Sequence, residues 1–346
     1  MKRVIVTGSL GLIGQSCSMR FIEHGWEVVG IDNDYRKEFF GEEASVRGQL
    51  HNLSTFDNYT HLWEDIRGEG LGSTFEGADL VIHCAAQPSH DWAYKNPRLD
   101  FSINAEGTLN LLELTKKHSP NAMFVYLSTN KVYGDGPNRL DLVEEETRYS
   151  CKDKSYAISE NFPVDQCTHS IFGVSKLSAD LLVQEYGRNL GMRTAVLRCG
   201  CLTGKNHQGA ELHGFLSYLS KCVQEEKPYV VYGYKGKQVR DNIHAEDVAS
   251  CIHRIYEDEK CFGEVFNIGG SFDSNISMLE AIDYFEKAYG KKLTYRIIDD
   301  NRIGDHIWYI TDMTKFKTRY PDWVMKYPLD KLMKSFSDTN EFAKGN

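Results

Sequence analysis

The chain of 346 residues has no excess of positive charge, no long apolar run and no paired-cysteine motif. Its 40 Lys and Arg against 49 Asp and Glu leave a formal net charge of −9. Nucleic acids and anionic membranes select basic surfaces, so this balance excludes both as general partners. A small anionic ligand needs only a local cluster of cations and stays open. No stretch approaches the roughly 18 apolar residues that span a bilayer. The opening MKRVIVTGSLGLIG places a basic pair before an apolar run, but Thr7, Gly8 and Ser9 interrupt that run too early for a secretory leader. The nine cysteines are scattered, with only Cys199 and Cys201 close together; an odd number without CxxC fits reduced thiols in the cytoplasm. There is no internal repeat, low-complexity tract or Pro/Gly-rich linker, and no His/Cys/Asp cluster with metal-ligand spacing.

What is present is an alternation. RVIVTG, WEVVGID, ADLVIHCAA, MFVYLST and RTAVLRCG read as strands. Between them, LIGQSCSMRFIEHG, NPRLDFSINAEGTLNLLELTKKHS and IFGVSKLSADLLVQEYGRNLG read as helices. Apolar strands separated by helix-length crossovers predict an α/β fold, a Rossmann-type doubly wound parallel sheet covered on both faces. NDYRKEFFGEE, KNHQGAELHG and YGYKGKQVRDN read as loops, EVFNIGG as a further strand and SNISMLEAIDYFEKAYG as a helix. Residues 1–200 are therefore expected to be mainly the dinucleotide-binding part. Residues 201–346 are expected to be mainly a smaller substrate-binding lobe, with segments such as 240–270 returning to the sheet.

Gly8, Gly11 and Gly14, with Leu12 and Ile13 between them, form GSLGLIG directly after a strand and at the start of a helix. That placement suits a tight turn, close approach of backbone to a pyrophosphate, and an anion at a helix N-terminus. The next strand ends at Asp32, followed by Asn33. A carboxylate there accepts hydrogen bonds from both ribose hydroxyls of an adenosine and repels a 2′-phosphate, favouring NAD over NADP. Arg36 and Lys37 soften that preference, because cations offset one carboxylate. Asp65 and Ile66 fall where the chain leaves the sheet, a place to meet adenine. Ala85, Ala86 and Gln87 follow the next apolar strand, where a dinucleotide backbone could pass. Asn104, in the helix after them, reads in isolation as a cap or buried polar residue.

LSTNKVYG puts Ser128 and Thr129 at a strand's carboxyl end, where a hydroxyl can bond a sugar oxygen. Lys176 lies four residues after Phe172, on the same face of a helix. An ammonium there can bind a nicotinamide ribose and lower the pKa of a neighbouring phenol. Phe172 has no proton to exchange. Read alone, Phe172 is a core aromatic and Lys176 a solvated charge.

GSLGLIG, Asp32, Asp65-Ile66, HCAAQ, Asn104, STNKVYGD, the spacing F-x-x-x-K, RDNIHAEDV and VFNIGG together resemble the extended short-chain dehydrogenase/reductase family, and within it the nucleotide-sugar epimerases. STNKVYGD, ETRYSCKDK, HSIFGVSK and GKQVRDNIHAED are similar to the CDP-tyvelose (CDP-paratose) 2-epimerase pattern. The resemblance implies a bound NAD that is reduced and reoxidised within one turnover, with inversion at C2 of a CDP-hexose, and it counts Asn33, Arg36, Gln87 and Asn104 among the residues that bind that NAD. It makes Thr129 and Lys176 catalytic residues, with Phe172 in the position of the family's tyrosine base. Retention of Thr129 and Lys176 favours a tyrosine-to-phenylalanine replacement in a working enzyme, low in activity or trapped, over drift after loss of function. The resemblance further implies Thr129 and Asn130 against the sugar, Arg240, Asp241 and Arg302 near the diphosphate, and a homodimer or higher homo-oligomer. A 4,6-dehydratase is disfavoured, since Asn130 and Lys131 stand where that group carries an Asp-Glu pair. A UDP-galactose-type 4-epimerase and a silent NAD or nucleotide-sugar binder remain open. Asn267 reads as ordering a strand end, and His169 is given no chemistry.

Overall fold

Short runs rich in Val and Ile become strands here, and the amphipathic runs between them become crossover helices. The computed structural model describes residues 1–204, 214–299, 301 and 304–337. Seven strands form the central sheet in the order Tyr59–Leu62, Glu27–Ile31, Arg3–Thr7, Leu80–His83, Met123–Thr129, Thr194–Cys199 and Phe262–Ile268. Every neighbouring pair is parallel. This is the doubly wound Rossmann order with one strand added at an edge. The chain reverses direction across the sheet between Arg3–Thr7 and Leu80–His83, and ligands of such sheets bind outside the strand carboxyl ends at that switch point.

Successive side chains of a strand point to opposite faces, and both faces are core. Val4, Val6, Ile82 and Val125 pack with Ile13, Cys17 and Phe21 of the helix Leu12–Glu23. Ile5, Val81, Phe124 and Tyr126 pack on the other face with Leu111 of the helix Gly107–His118 and Val183 of the helix Ile171–Arg188. Burial on both faces leaves no position for a polar alternate, which is why these strands are continuous apolar runs. Each buried Val, Ile or Phe contributes roughly 1.5–3 kcal/mol.

A third cluster lies beyond the sheet. Leu216, Leu219 and Val223 of the helix Phe215–Glu225 pack against Ala281, Ile282 and Phe285 of the helix Met278–Tyr289. The latter helix begins with a capping box, in which Ser277 and Glu280 satisfy each other's backbone N–H. Tyr229–Tyr232 pairs in parallel with Tyr295–Ile298 beside this cluster. Phe262–Ile268 returns to the edge of the central sheet.

Three local expectations fail. GKQVRDN is not all loop: Val239–His244 is a buried strand, pairing with Asn275–Ser277, Trp308–Tyr309 and Cys201–Thr203. Its polar content hid it, because Arg240, Asp241 and Asn242 are buried with specific partners. NDYRKEFFGEE contains the short helix Arg36–Phe40, with Tyr35 and Phe39 in ring contact at 5.5 Å. The long helical run over residues 97–118 is interrupted by a π turn at Ser102–Glu106, which carries Asn104. No helix among the described residues is long and apolar enough to cross a membrane. Among those residues no group of three or more His, Cys, Asp or Glu is placed to hold a metal ion.

Candidate active site

One cleft runs along the carboxyl ends of the central strands, and its floor is the glycine turn. Gly8 has φ +66°, and a Cβ there would lie 2.7 Å from the Ala85 nitrogen. A Cβ on Gly14 would overlap the Gly8 carbonyl. Both positions thus require glycine, the first for its backbone conformation and for close approach, the second for packing alone. Gly11 precedes the helix Leu12–Glu23 and supplies no side-chain cap, so the helix start faces the cleft with backbone amides. Such a start suits an anion.

Asp32 closes the adenosine end. Its carboxylate accepts from the Leu10 N–H at 3.1 Å and the Asp34 N–H at 2.8 Å. Burial pushes its pKa up, against the lowering by those two N–H groups. Arg36 lines the same wall, its pKa lowered to about 10 by burial and partly restored by Asp32. Asp65 and Ile66 also line the cleft. Asp65 is held by Arg67 through bonds of 2.8 and 2.7 Å, and Asn33 donates to it at 3.2 Å. Arg67 keeps the Asp65 carboxyl below its ordinary range. Ala85 and Ala86 complete the opposite wall.

At the inner end, Thr129, Asn130, Phe172 and Lys176 line one stretch of the cleft. The Thr129 hydroxyl accepts from the Lys131 N–H at 3.2 Å and thereby caps the turn Asn130–Tyr133. The Lys176 ammonium donates to the Leu127 carbonyl at 2.7 Å and lies 4.3 Å from the Tyr126 ring centre. Burial lowers its pKa to about 8. Phe172 is buried but belongs to the cleft wall, and its ring stands 4.9 Å from that of His90, another wall residue. Sequence reasoning missed His90; its only signal was its place three residues after Gln87, and it opens the short helix His90–Lys95 after the loop that leaves the strand Leu80–His83.

The outer end carries cations. Arg240 donates to Asp305 at 2.7 Å, and Lys131 donates to the same oxygen at 3.0 Å and to the Gly304 carbonyl at 3.1 Å. Burial raises the Asp305 pKa, but Arg240 and Lys131 outweigh it and hold that carboxyl well below its ordinary range. Burial lowers Lys131, with Asp305 offsetting part of the effect. Lys131 and Asp305 were not anticipated; Lys131 had counted only as the absence of an acidic pair. Arg302 lies outside the described residues.

Several anticipated residues stand behind the wall instead. Gln87 donates to Asp100 at 2.7 Å and to the Ser89 carbonyl at 2.9 Å, and its own N–H reaches Asn104 at 2.9 Å. Asn104 donates to Ser175 at 3.0 Å, tying the π turn to the helix that bears Phe172 and Lys176. Neither Gln87 nor Asn104 lines the cleft; the two set the positions of residues that do. Ser128 does line the cleft beside Thr129, but its hydroxyl donates at 2.7 Å to Asp180, which is paired with Arg198 in the interior. Asp241 points away from Arg240, as strand alternation requires, and accepts from Ser271 and Thr311 N–H groups at 3.0 and 3.1 Å. Asn267 accepts from Tyr133 at 2.7 Å and donates to Ile158 at 2.9 Å, ordering the strand end. His169 bonds the Val132 carbonyl at 2.8 Å. The ETRYSCKDK segment forms part of a hairpin that Arg148 ties to Glu280 at 2.7 Å, and none of it lines the cleft.

A glycine turn under an open helix start, an acidic residue at the next strand end, and a threonine and lysine over the switch point define a dinucleotide-dependent enzyme of the Rossmann class. Residues 4–269 match the NAD dependent epimerase/dehydratase family, and the chain belongs to it. The cradle fits NAD, the cofactor of that family: the turn at Gly8 and Gly11 with the open helix start would suit a pyrophosphate, and the Asp32 carboxylate at the next strand end would suit a ribose. CDP-paratose 2-epimerase of Salmonella typhi is 31% identical over 333 residues, covering 94% of this chain and 95% of that one. The crystal structure of UDP-glucuronic acid 4-epimerase from Bacillus cereus, in complex with UDP-glucuronic acid and NAD, is 26% identical with a TM-score of 0.81, over 97% of this chain and 98% of that one. A tyrosine-to-phenylalanine mutant of the same Bacillus cereus enzyme, in complex with UDP-4-deoxy-4-fluoro-glucuronic acid and NAD, matches with the same identity, coverage and TM-score.

Proposed function

We propose that the chain is a nucleotide-sugar 2-epimerase acting on a CDP-hexose. The observation that carries this reading is the meeting of Thr129, Phe172 and Lys176 in the same cleft as Arg240 and Lys131. NAD, when bound, supplies a hydride acceptor that can return what it takes. The chain's own residues do the rest. Arg240 and Lys131 hold the diphosphate through charge-assisted hydrogen bonds, for which the planar guanidinium is well shaped. Thr129 and Asn130 orient the hexose, Lys176 holds the ribose next to it, and the apolar walls exclude water. Arg302 is a second diphosphate ligand in this reading.

The similarity of STNKVYGD and ETRYSCKDK to the 2-epimerase pattern and the Salmonella typhi relative favour C2 and cytosine. The Bacillus cereus relative favours a second reading, inversion at C4 of a UDP-sugar. Its phenylalanine form holds a fluorinated UDP-sugar and NAD, which supports ligand binding without the phenol. Elimination in the manner of a dehydratase is disfavoured, because Lys131 beside Thr129 is engaged with Asp305 and Asn130 carries no acid. Phe101, Leu109, Val174 and Leu181, exposed on neighbouring helices, support a homodimer.

The test is incubation of the purified chain, and of Phe172→Tyr, with CDP-glucose and with UDP-glucose, followed by proton NMR of the released sugars. Inversion at C2 of CDP-glucose by either protein is the expected result. Inversion at C4 alone would replace this reading with the 4-epimerase, and inertness of both proteins would leave a binder.

A further inference from the structure

A nicotinamide enzyme that oxidises a sugar alcohol must also remove the hydroxyl proton, and Phe172 cannot take it. We infer that His90 is the acid-base group of this site. The inference rests on the epimerase reading above and names the residue that reading leaves open.

Four observations carry it. The imidazole and the Phe172 phenyl ring are 4.9 Å apart between centres, tilted by 57°, so His90 stands against the ring that replaces the family's phenol. Both rings are in the wall of the cleft that holds Thr129 and Lys176. Among the described residues of that wall, His90 is the one imidazole, the side chain suited to proton exchange near neutral pH. Its position is also fixed from behind. The buried Gln87 side chain grips Ser89 on both sides, accepting from its N–H and donating to its carbonyl, and Ser89 caps the helix His90–Lys95 by accepting from the Trp92 N–H at 3.2 Å.

The neighbouring groups are poor substitutes. Lys176, with its pKa at about 8, is an ammonium at neutral pH and has no lone pair to take a proton. Asp305 is paired with two cations and is a weak base. Cys84 and Cys199 are thiols that burial pushes far up. Thr129 can donate to a sugar oxygen but is far too weak an acid or base to hold the proton.

In the step His90 takes the proton of the sugar hydroxyl and becomes imidazolium, while the hydride of the same carbon leaves with its electron pair to the oxidised nicotinamide dinucleotide. The C–H and O–H bonds break and the C=O bond forms. On return, hydride adds to the opposite face of that carbon and the imidazolium gives its proton back to the oxygen. Nothing is consumed over the cycle.

The experiment compares four proteins loaded with NAD: the chain itself, His90→Gln, Phe172→Tyr, and both changes together, each with CDP-glucose. His90→Gln is expected to slow C2 inversion by roughly 10²- to 10⁴-fold, the usual share of a positioned acid-base group. The double variant is expected to recover, because the phenol takes over. Equal NAD content and melting temperature in His90→Gln exclude misfolding as the cause. A second readout needs no turnover: diethylpyrocarbonate modifies His90, read by peptide mass mapping, and CDP-glucose suppresses the modification while CDP alone does not. Undiminished turnover in His90→Gln would overturn the inference, and so would modification indifferent to CDP-glucose or equally suppressed by CDP. An inert natural chain beside an active Phe172→Tyr would overturn it while sparing the epimerase reading. Inertness of all four would sink both.

Discussion

Arg240 donates to Asp305 at 2.7 Å, so the cation assigned to the substrate diphosphate already holds a carboxylate. Lys131 donates to the same oxygen at 3.0 Å. Two cations on one carboxylate keep a net positive charge at the mouth of an acidic protein, and a diphosphate arriving there meets donors already in position. Arg240→Ala is therefore expected to weaken CDP-glucose binding by about 10- to 100-fold, the value of a charge-assisted hydrogen bond. Bound NAD should be unchanged, since Arg240 bonds Asp305 and the Val239 carbonyl rather than the glycine turn or Asp32. Calorimetry with CDP-glucose and the NAD content of the purified variant check the two halves. Loss of both together would show that Arg240 serves mainly to hold its strand.

Lys176 gives a pH dependence with a definite sign. Burial brings its pKa down to about 8, so the ammonium is present below that pH and is lost as pH rises through it. A dinucleotide held in part by that charge should bind more weakly above pH 8, by at most about tenfold per pH unit. Lys176→Met should bind weakly at every pH and show no such decline. Fluorescence titration with NAD between pH 6.5 and pH 9.5 reads both, and an affinity for the natural chain that stays level across pH 8 would refute the role.

What the sequence displayed and what it concealed have different physical origins. The central sheet was evident because strands buried on both faces must be continuous apolar runs, as in RVIVTG and MFVYLST, and because the glycines of GSLGLIG answer a steric demand visible in their spacing. Val239–His244 was concealed because its buried polar residues are satisfied by partners far along the chain, which no local pattern can report. The same holds within the site. Thr129 and Lys176 were found through strand-end and helical spacing plus family resemblance. His90 was not, since the ring contact with Phe172 joins two residues 82 positions apart (172 less 90). Gln87 and Asn104 were expected to bind the cofactor, but neither lines the cleft, and their hydrogen bonds to Asp100 and Ser175, which no local pattern reports, turn them inward.

Asp241 is the strand neighbour of Arg240 that faces the interior, and it should leave a mark on stability. Its carboxyl is pushed up to about 6 by burial, against the lowering by the Thr311 and Ser271 hydrogen bonds. The native protein thus keeps a proton there between about pH 4 and pH 6 that the unfolded chain has released. The native state binds more protons in that window, so the stability contributed by the neutral form is complete below about pH 4 and declines as pH rises through 6. A shift of about two units corresponds to roughly 3 kcal/mol at most. Asp241→Asn stays neutral throughout, and its carbonyl oxygen can accept both N–H groups that now reach one Asp241 oxygen. Other carboxylates titrate in the same range, so the informative quantity is the difference in melting temperature between the two proteins. That difference should move in favour of Asp241→Asn from pH 4 to pH 7. A constant difference would mean that folding leaves the Asp241 pKa where it is in the unfolded chain. The carboxylate packs where a Cβ at Gly200 or Gly269 would otherwise intrude, so the variant must keep the same volume. Asparagine does so, and alanine, which would open a cavity, would confuse a packing loss with the proton effect.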